Sequence, residues 1–178
     1  MIDTDRLVLR PWRDSDREPF AAMSRDPVVM ATLGPLMTRA EADANVDSLV
    51  AHQVRHGHCF WAIERRADAA FLGFCGLKVE SQIPILENEL EIGWRLRSDA
   101  WGQGYAREAA QAALAWGFAN CPHPRIVAIT TPGNTRSWGL MERLGMTRLA
   151  DGDFDHPRLA PDDPLRPHIT YAIDRPEA

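Results

Sequence analysis

The 178-residue chain contains a single lysine, Lys78, so nearly all of its 20 basic residues are arginines. The basic residues are outnumbered by 25 acidic ones, and the formal net charge is −5. A general nucleic-acid-binding protein normally carries a basic surplus. The composition therefore argues against a nucleic-acid partner.

Long apolar runs and a leader-like N-terminus are also absent from the sequence. No run approaches the roughly 20 apolar residues that a membrane span needs. The first residues show no basic segment followed by an apolar one, the pattern typical of a signal peptide. We therefore expect a cytoplasmic protein without a membrane partner.

Cysteine is scarce, and the three that occur, Cys59, Cys75 and Cys121, are odd in number and widely spaced. No C-x-x-C pair is present, which argues against a zinc knuckle and a redox dithiol. Cys59 and Cys75 lie in apolar runs and are interpreted as small buried hydrophobic residues. The three histidines between residues 52 and 58 have no nearby carboxylate, and we assign no metal.

The length predicts one domain over residues 1–178, and 45% of its residues are hydrophobic, as in ordinary globular proteins. Period-two and period-3.6 apolar patterns predict about seven strands and four helices. The strands are expected over 6–10, 59–64, 71–79, 89–96, 126–131, 147–154 and 169–173, and the helices over 14–25, 38–57, 104–119 and 135–144. Asp14 and Thr38 are the expected N-caps of the first two helices. This order indicates an α/β fold with a mixed, mostly antiparallel sheet and one parallel crossover.

The most informative segment is 91–108, in which a strand leads through Gly102 and Gly104 into a helix. Such a junction offers free backbone N–H groups and the positive end of a helix dipole to an anion. Arg107 in the first turn adds a positive charge. A Walker A loop would need a lysine here, and a dinucleotide fingerprint would need glycine at Arg107. A tight turn before a buried helix, with no ligand, remains the alternative.

Further along, the chain carries W-G-Q-G-Y-A-x-E-A over 101–109, Asn134-Thr-Arg-Ser137 opening a helix, and Leu144-Gly-Met146 closing it. Together with Thr4-Asp-Arg-Leu-Val-Leu-Arg10, these motifs resemble the GNAT acetyltransferase superfamily, and within it the RimJ/RimL-like branch of ribosomal-protein N-terminal acetyltransferases. The resemblance extends from Thr4 to Tyr171. Trp101 departs from the Gln or Arg usual at that position of the superfamily, a replacement common in the branch.

The resemblance implies an acetyl-CoA site and a sheet that splays at its centre. The coenzyme pyrophosphate would be held by the main chain of Gly102, Gln103, Gly104, Tyr105, Ala106 and Arg107. The pantetheine arm would pair with the strand residues Trp94, Arg95 and Leu96 and contact Asn134. A backbone N–H near Trp94 or Arg95 would stabilise the tetrahedral oxyanion.

The catalytic groups are predicted with two alternatives left open. By resemblance, Ser137 would protonate the departing thiolate; alternatively, it only bonds to the backbone at the start of its helix. Strand alternation places Glu91 on one face with Glu89, where paired carboxylates would favour a general base. The alternative is a solvated strand face on which Arg95 and Arg97 neutralise these carboxylates.

The acceptor side is expected at the N-terminal helices and at the loop before the last strand. Phe154 and His156, in this proline-rich loop, and Trp138, next to Ser137, are the predicted acceptor contacts; His156 is also an alternative base.

The resulting prediction is transfer of an acetyl group from acetyl-CoA to a primary amine on a small molecule or peptide. A non-catalytic acyl-CoA-binding module is the main alternative, and nucleotide binding would require a sheet that is parallel throughout. A homodimer is compatible with the family, although no residue pattern requires one.

Overall fold

The computed structural model describes residues 1–79 and 83–176. Within these ranges the chain forms nine strands and five α-helices. The strands are β1 (Ile2–Asp3), β2 (Leu7–Arg10), β3 (Phe60–Arg65), β4 (Phe71–Val79), β5 (Leu90–Leu96), β6 (Arg125–Thr130), β7 (Thr147–Arg148), β8 (Phe154–Asp155) and β9 (Pro167–Asp174). The helices are α1 (Arg17–Ser24), α2 (Pro27–Met30), α3 (Arg39–His56), α4 (Tyr105–Asn120) and α5 (Thr135–Arg143).

The sheet has the order β1-β2-β3-β4-β5-β6-β9-β7, and β8 pairs with another part of β9. All described pairs are antiparallel except β5–β6. A parallel pair needs a crossover connection, and α4 provides it. The predicted mixed α/β fold is confirmed, and the parallel sheet that the nucleotide-binding alternative required is excluded.

Local signals placed several elements correctly. Thr38 accepts the Glu41 N–H, while the Glu41 carboxylate accepts the Thr38 N–H at 2.7 Å, which is the expected capping box at the start of α3. Gly57 ends α3 in the left-handed conformation, and Gly145 does the same after α5 at φ 84°.

The start of the first helix was predicted wrongly. Residues 14–16 form a 3-10 turn, and α1 begins at Arg17, so Asp14 is not its N-cap. Asp16 is the buried carboxylate of this turn. It accepts the Arg13 N–H at 2.8 Å and binds both terminal nitrogens of Arg10 at 2.7 and 2.9 Å.

The predicted strand 147–154 is also wrong in detail. Thr147 pairs with Ala172, and Phe154 pairs with His168. Phe154 is seven residues after Thr147, whereas the two partners on β9 are only four residues apart. The three extra residues bulge away and divide the segment into β7 and β8. The sequence pattern also missed β1 and the single turn α2.

Two apolar layers cover the sheet. The α4 face packs Leu90, Ile92 and Leu96 of β5 against α4. On the opposite α3 face, α1 and α3 pack over a second cluster that includes Phe74 of β4. Among the described helices, none is long and apolar enough to cross a membrane.

Candidate active site

The parallel strands β5 and β6 separate soon after they meet. Only Leu90 and Glu91 of β5 have partners on β6, namely Ile126 and Val127. The remainder of β5, residues 92–96, is paired on its β4 side alone. The expected splay is therefore present, and it leaves a gap bounded by unpaired main chain of β5.

The register decides which main-chain groups face this gap. The Arg97 N–H donates to the Leu72 carbonyl at 2.9 Å, and hydrogen-bonded pairs alternate along an antiparallel ladder. Arg95 lies opposite Phe74 and is therefore bonded within the sheet. Trp94 is out of phase with that pattern, so its N–H and carbonyl are directed to the gap. Of the two residues predicted to offer a backbone N–H to the gap, the register therefore favours Trp94 over Arg95.

At the end of β5, the expected turn precedes α4. Gly102 and Gly104 both have positive φ, 74° and 81°. Gly104 is the N-cap of α4, and no side chain caps the helix there. The first N–H groups of α4 are therefore available to an anion, with the helix dipole adding positive potential. Tyr105 and Ala106 open this first turn, and Arg107 lies within it.

A clasp holds this turn against the N-terminal strands. The Glu108 carboxylate accepts the Thr4 hydroxyl at 2.7 Å and binds the Arg6 guanidinium at 2.7 Å. Arg6 also donates to the Gln103 carbonyl at 2.9 Å. Although burial opposes it, the bonds from Thr4 and Arg6 lower the pKa of Glu108. The glutamate of the W-G-Q-G-Y-A-x-E-A motif thus positions the turn.

Trp101 connects the turn to β5 and to α5. Its indole N–H donates to the Leu96 carbonyl at 2.9 Å, so that carbonyl is already bonded within the chain. The Arg136 guanidinium lies 4.8 Å from the Trp101 ring centroid. Arg136 was missed at the sequence level, although it lies inside the Asn134–Ser137 motif.

The start of α5 contributes two of the predicted groups. Asn134 is its N-cap, and the carboxamide oxygen accepts the Ser137 N–H at 3.3 Å. Among the described residues, the carboxamide nitrogen of Asn134 and the hydroxyl of half-buried Ser137 have no hydrogen-bond partner. The interpretation of Ser137 as a helix-start residue that bonds to backbone through its hydroxyl therefore has no support. Trp138 instead donates its indole N–H to the Pro132 carbonyl at 3.1 Å.

Glu91 lies on the α3 face of β5, half-buried, with Lys78 directly opposite on β4. Glu89, the second expected carboxylate, forms an ion pair with Arg125. Arg97 pairs with Asp99, so it does not neutralise Glu91 as one alternative required. The carboxylate of Glu89 is thus engaged by Arg125.

The side chain of Arg95 follows an unexpected course. It projects from the α3 face, 5.5 Å from the Phe74 ring centroid, and borders a cleft of about 240 Å³. The other cleft residues come from the α2–α3 loop and the first turns of α3: Met30, Leu33, Gly34, Pro35, Leu36, Met37, Glu41 and Asn45. Burial lowers the pKa of Arg95 to about 10, so it remains charged at neutral pH. No sequence motif had marked this cleft.

The predicted acceptor loop packs against a third apolar cluster of the sheet, and its residues are not among those that line the cleft. Phe154 packs with Val127, which is paired with Glu91 and therefore lies on the same face. The His156 ring lies 6.3 Å from Phe154 and 4.9 Å from His168. Burial lowers the pKa of His168, which favours its neutral form.

The three cysteines are buried and unpaired. Burial raises the pKa of Cys59 to about 12 and also raises that of Cys75. Their interpretation as small buried hydrophobic residues is confirmed, and a thiolate nucleophile is disfavoured.

Comparisons of the sequence and of the structure with known proteins indicate the same family. The sequence model of the acetyltransferase (GNAT) domain matches residues 6–147. The chain is 34% identical to the Bacillus subtilis protein YkkB over 146 residues, which cover 80% of this chain and 83% of YkkB. It is 28% identical to the uncharacterized N-acetyltransferase YoaA of the same organism over 151 residues, 83% of each chain.

Solved structures agree with this result. A GNAT-family acetyltransferase from Bacillus anthracis superposes with a TM-score of 0.79 at 25% identity, covering 98% of both chains. A spermidine N-acetyltransferase from Vibrio cholerae, solved with CoA and spermine, gives a TM-score of 0.74 at 16% identity, covering 97% of both chains. The latter similarity concerns the fold.

Proposed function

The chain belongs to the acetyltransferase (GNAT) family, and from this premise we propose that it transfers the acetyl group of acetyl-CoA to a primary amine. The observation that carries the proposal is the uncapped start of α4 after Gly104, beside the gap between β5 and β6. A phosphate group and an extended acyl-bearing arm need these two features side by side. The motif and the sheet geometry supply both.

The residues of the turn fit the coenzyme. Main-chain N–H groups from Gly102 to Arg107 would hold the pyrophosphate, because backbone N–H groups at a helix start bind anions without requiring lysine. Trp94 would bond the pantetheine arm through its main chain. The carboxamide nitrogen of Asn134, which has no partner within residues 1–79 and 83–176, would donate to the same arm.

The chemistry is direct acyl transfer. The amine nitrogen bonds to the thioester carbonyl carbon, and the carbon–sulfur bond then breaks. One proton leaves the amine for a base, and one proton reaches the thiolate of coenzyme A. Positioning of the two reactants supplies several kcal/mol of the barrier reduction, so modest acid–base help is sufficient.

We assign the base to Glu91 and the acid to Ser137. Glu91 projects from the same sheet face as Val127, whose apolar cluster Phe154 packs against, and this shared face supports the assignment. Ser137 lies at the start of α5, and its hydroxyl has no hydrogen-bond partner in the described parts of the chain. Trp138, Phe154 and His156 would border the acceptor, and His156 remains the competing base.

Membership of the RimJ/RimL-like branch is the finer proposal. It is supported by Trp101 in place of Gln or Arg and by the opening Thr4–Arg10 motif. The acceptor would accordingly be a small-molecule or peptide amine.

The test is thermal unfolding with saturating acetyl-CoA, coenzyme A, NAD or ATP in parallel, followed by thiol release with an amine panel. A ligand at 100 times its dissociation constant stabilises a protein by about 2.7 kcal/mol. A shift with the two coenzyme A species alone, and thiol release with an amine, is expected. A shift without thiol release from any amine would favour a binding module, and no shift would contradict the assignment of the turn.

A further inference from the structure

Arg95 is a charged side chain in a largely apolar setting, and it forms no ion pair with the part of the chain that the structure describes. Its Nε and Nη1 atoms are shielded from solvent and have no hydrogen-bond partner among the described residues. The guanidinium lies 5.5 Å from the centroid of the Phe74 ring. Burying a charge without a partner is costly, and an apolar residue of similar volume would be the more stable choice. Retention of arginine here calls for a ligand that supplies the missing acceptor atoms.

Among the described residues that line the cleft, Glu41 is the carboxylate, and it is already engaged. Glu41 accepts the Thr38 N–H at 2.7 Å and the Thr38 hydroxyl at 2.8 Å within the capping box. Those bonds lower the pKa of Glu41, which therefore stays ionised at the rim of the cleft. With Glu41 held by Thr38, Arg95 is the positive group that the cleft offers to a ligand.

The other walls are apolar and partly uncovered. Leu33 and Leu36 of the α2–α3 loop are 39% and 52% exposed although they border the cleft. A volume of about 240 Å³ corresponds to about eight water molecules and admits a small molecule. A ligand with an apolar body would cover these leucines.

The position of the cleft relative to the gap between β5 and β6 also supports a role in acceptor binding. The loop is tied to the end of β6, where the Thr131 hydroxyl donates to the Thr32 carbonyl at 3.4 Å. The adjacent α2 is tied to the end of β5, where the Ser98 hydroxyl donates to Asp26 at 2.7 Å. The loop therefore lies across the gap between the splayed strands. Arg95 itself directly follows Trp94, whose main chain faces that gap.

Resting on the proposed function, we propose that Arg95 is a specificity-determining residue that binds the carboxylate of the acceptor. The acceptor class is a small zwitterionic amine with an apolar body, such as an apolar amino acid. The planar guanidinium matches a carboxylate in two parallel hydrogen bonds. With the carboxylate held there and the apolar body against the leucines, the amine is directed to the gap.

The experiment compares amines that carry a carboxylate with amines of similar shape that do not. Thiol release from acetyl-CoA is measured with L-leucine, L-leucinamide and isopentylamine, and with the longer pair 6-aminohexanoate and hexylamine. In wild type, a carboxylate-bearing member should exceed its neutral partner in kcat/KM by about tenfold or more, the range of a charge-assisted bond. Arg95→Met should remove that preference, and Arg95→Lys should keep part of it.

Arg25→Met, which removes an exposed arginine at the end of α1, is the matched control and should retain the preference. Binding of L-leucine and 6-aminohexanoate in the presence of coenzyme A provides a readout without turnover. Arg95→Met should also unfold at a temperature no lower than wild type, whereas a purely structural arginine would lower it. If Arg95→Met does not fold, the several-fold weaker binding expected of Arg95→Lys carries the test.

The two proposals fail in distinguishable ways. A protein that binds coenzyme A but prefers neutral amines, binds neither carboxylate, or keeps its preference in Arg95→Met overturns the role of Arg95 alone. A protein that does not bind coenzyme A overturns the acetyltransferase proposal itself.

Discussion

Replacing Gly104 by alanine should separate the folding role of the turn from its role in binding coenzyme A. Gly104 has φ 81° and ψ −1°, a conformation in which an L-residue is disfavoured by about 1–2 kcal/mol. The chain offers a matched control in Gly57, at φ 76° and ψ −4° after α3. An added Cβ meets nothing within 4 Å at Gly57 and a flexible Arg6 nitrogen at 3.3 Å at Gly104. The two variants therefore carry nearly equal backbone strain.

Both variants should lose about 1–2 kcal/mol of stability, which for this chain length lowers the unfolding midpoint by about 2–8 °C. Saturating coenzyme A should then stabilise Gly57→Ala as it does wild type. In Gly104→Ala the turn relaxes away from the left-handed conformation and must regain it to bind, and the added methyl group crowds the phosphate site. A tenfold weaker affinity would remove about 1.4 kcal/mol of the ligand-induced stabilisation.

The assay is thermal unfolding at several coenzyme A concentrations, supported by direct titration. Equal coenzyme affinity in wild type and Gly104→Ala would refute the placement of the pyrophosphate at this turn. Loss of affinity in both glycine variants would point to a general effect of destabilisation instead.

Further predictions concern acid–base groups. Ser137→Ala should lower kcat by about 10²-fold while leaving coenzyme affinity unchanged; wild-type turnover would exclude Ser137 as the acid. Glu91→Gln should lower kcat/KM by a similar factor and remove the acidic limb of the pH profile of kcat/KM. An unaltered profile would mean that another group is the general base. Burial lowers the pKa of His52 and His58, so the unfolded chain binds protons more readily. Their contribution to stability is complete above about pH 6.5 and is lost as the pH falls below that value. Unfolding midpoints at pH 7.5 and 5.5 should differ less in His52→Gln than in wild type. Because burial raises the pKa of Cys59 to about 12, maleimide treatment of the folded protein at pH 7 should leave activity intact.

Features encoded over a few neighbouring residues were predictable from the sequence. The capping box at Thr38, the strand alternation around Glu91 and the glycine turn before α4 each depend on local chemistry, and each lies where the pattern indicated. The splay between β5 and β6 followed from the family resemblance and is present.

Other features depend on tertiary contacts that no local pattern reveals. Asp16 resembles any acidic residue near a helix start, yet two nitrogens of Arg10 hold it in the interior. The bulge that divides 147–154 arises because this segment resumes pairing with β9 only after three extra residues. The direction of the Arg95 side chain could not be predicted from the sequence either, because the family resemblance implied a role only for the main chain of Arg95.

This contrast explains why the two halves of the site differ in predictability. The turn that fits the coenzyme is one continuous segment, so its glycines and helix start appear together in the sequence. The cleft proposed for the acceptor combines the end of α2, the α2–α3 loop, the first turns of α3 and a side chain of β5. Since a short motif specifies only the first half, proteins that share it can bind one donor and still differ in acceptor. In this chain the group proposed to distinguish acceptors is Arg95, which is recognised by its burial without a hydrogen-bond partner among the described residues and not by a motif.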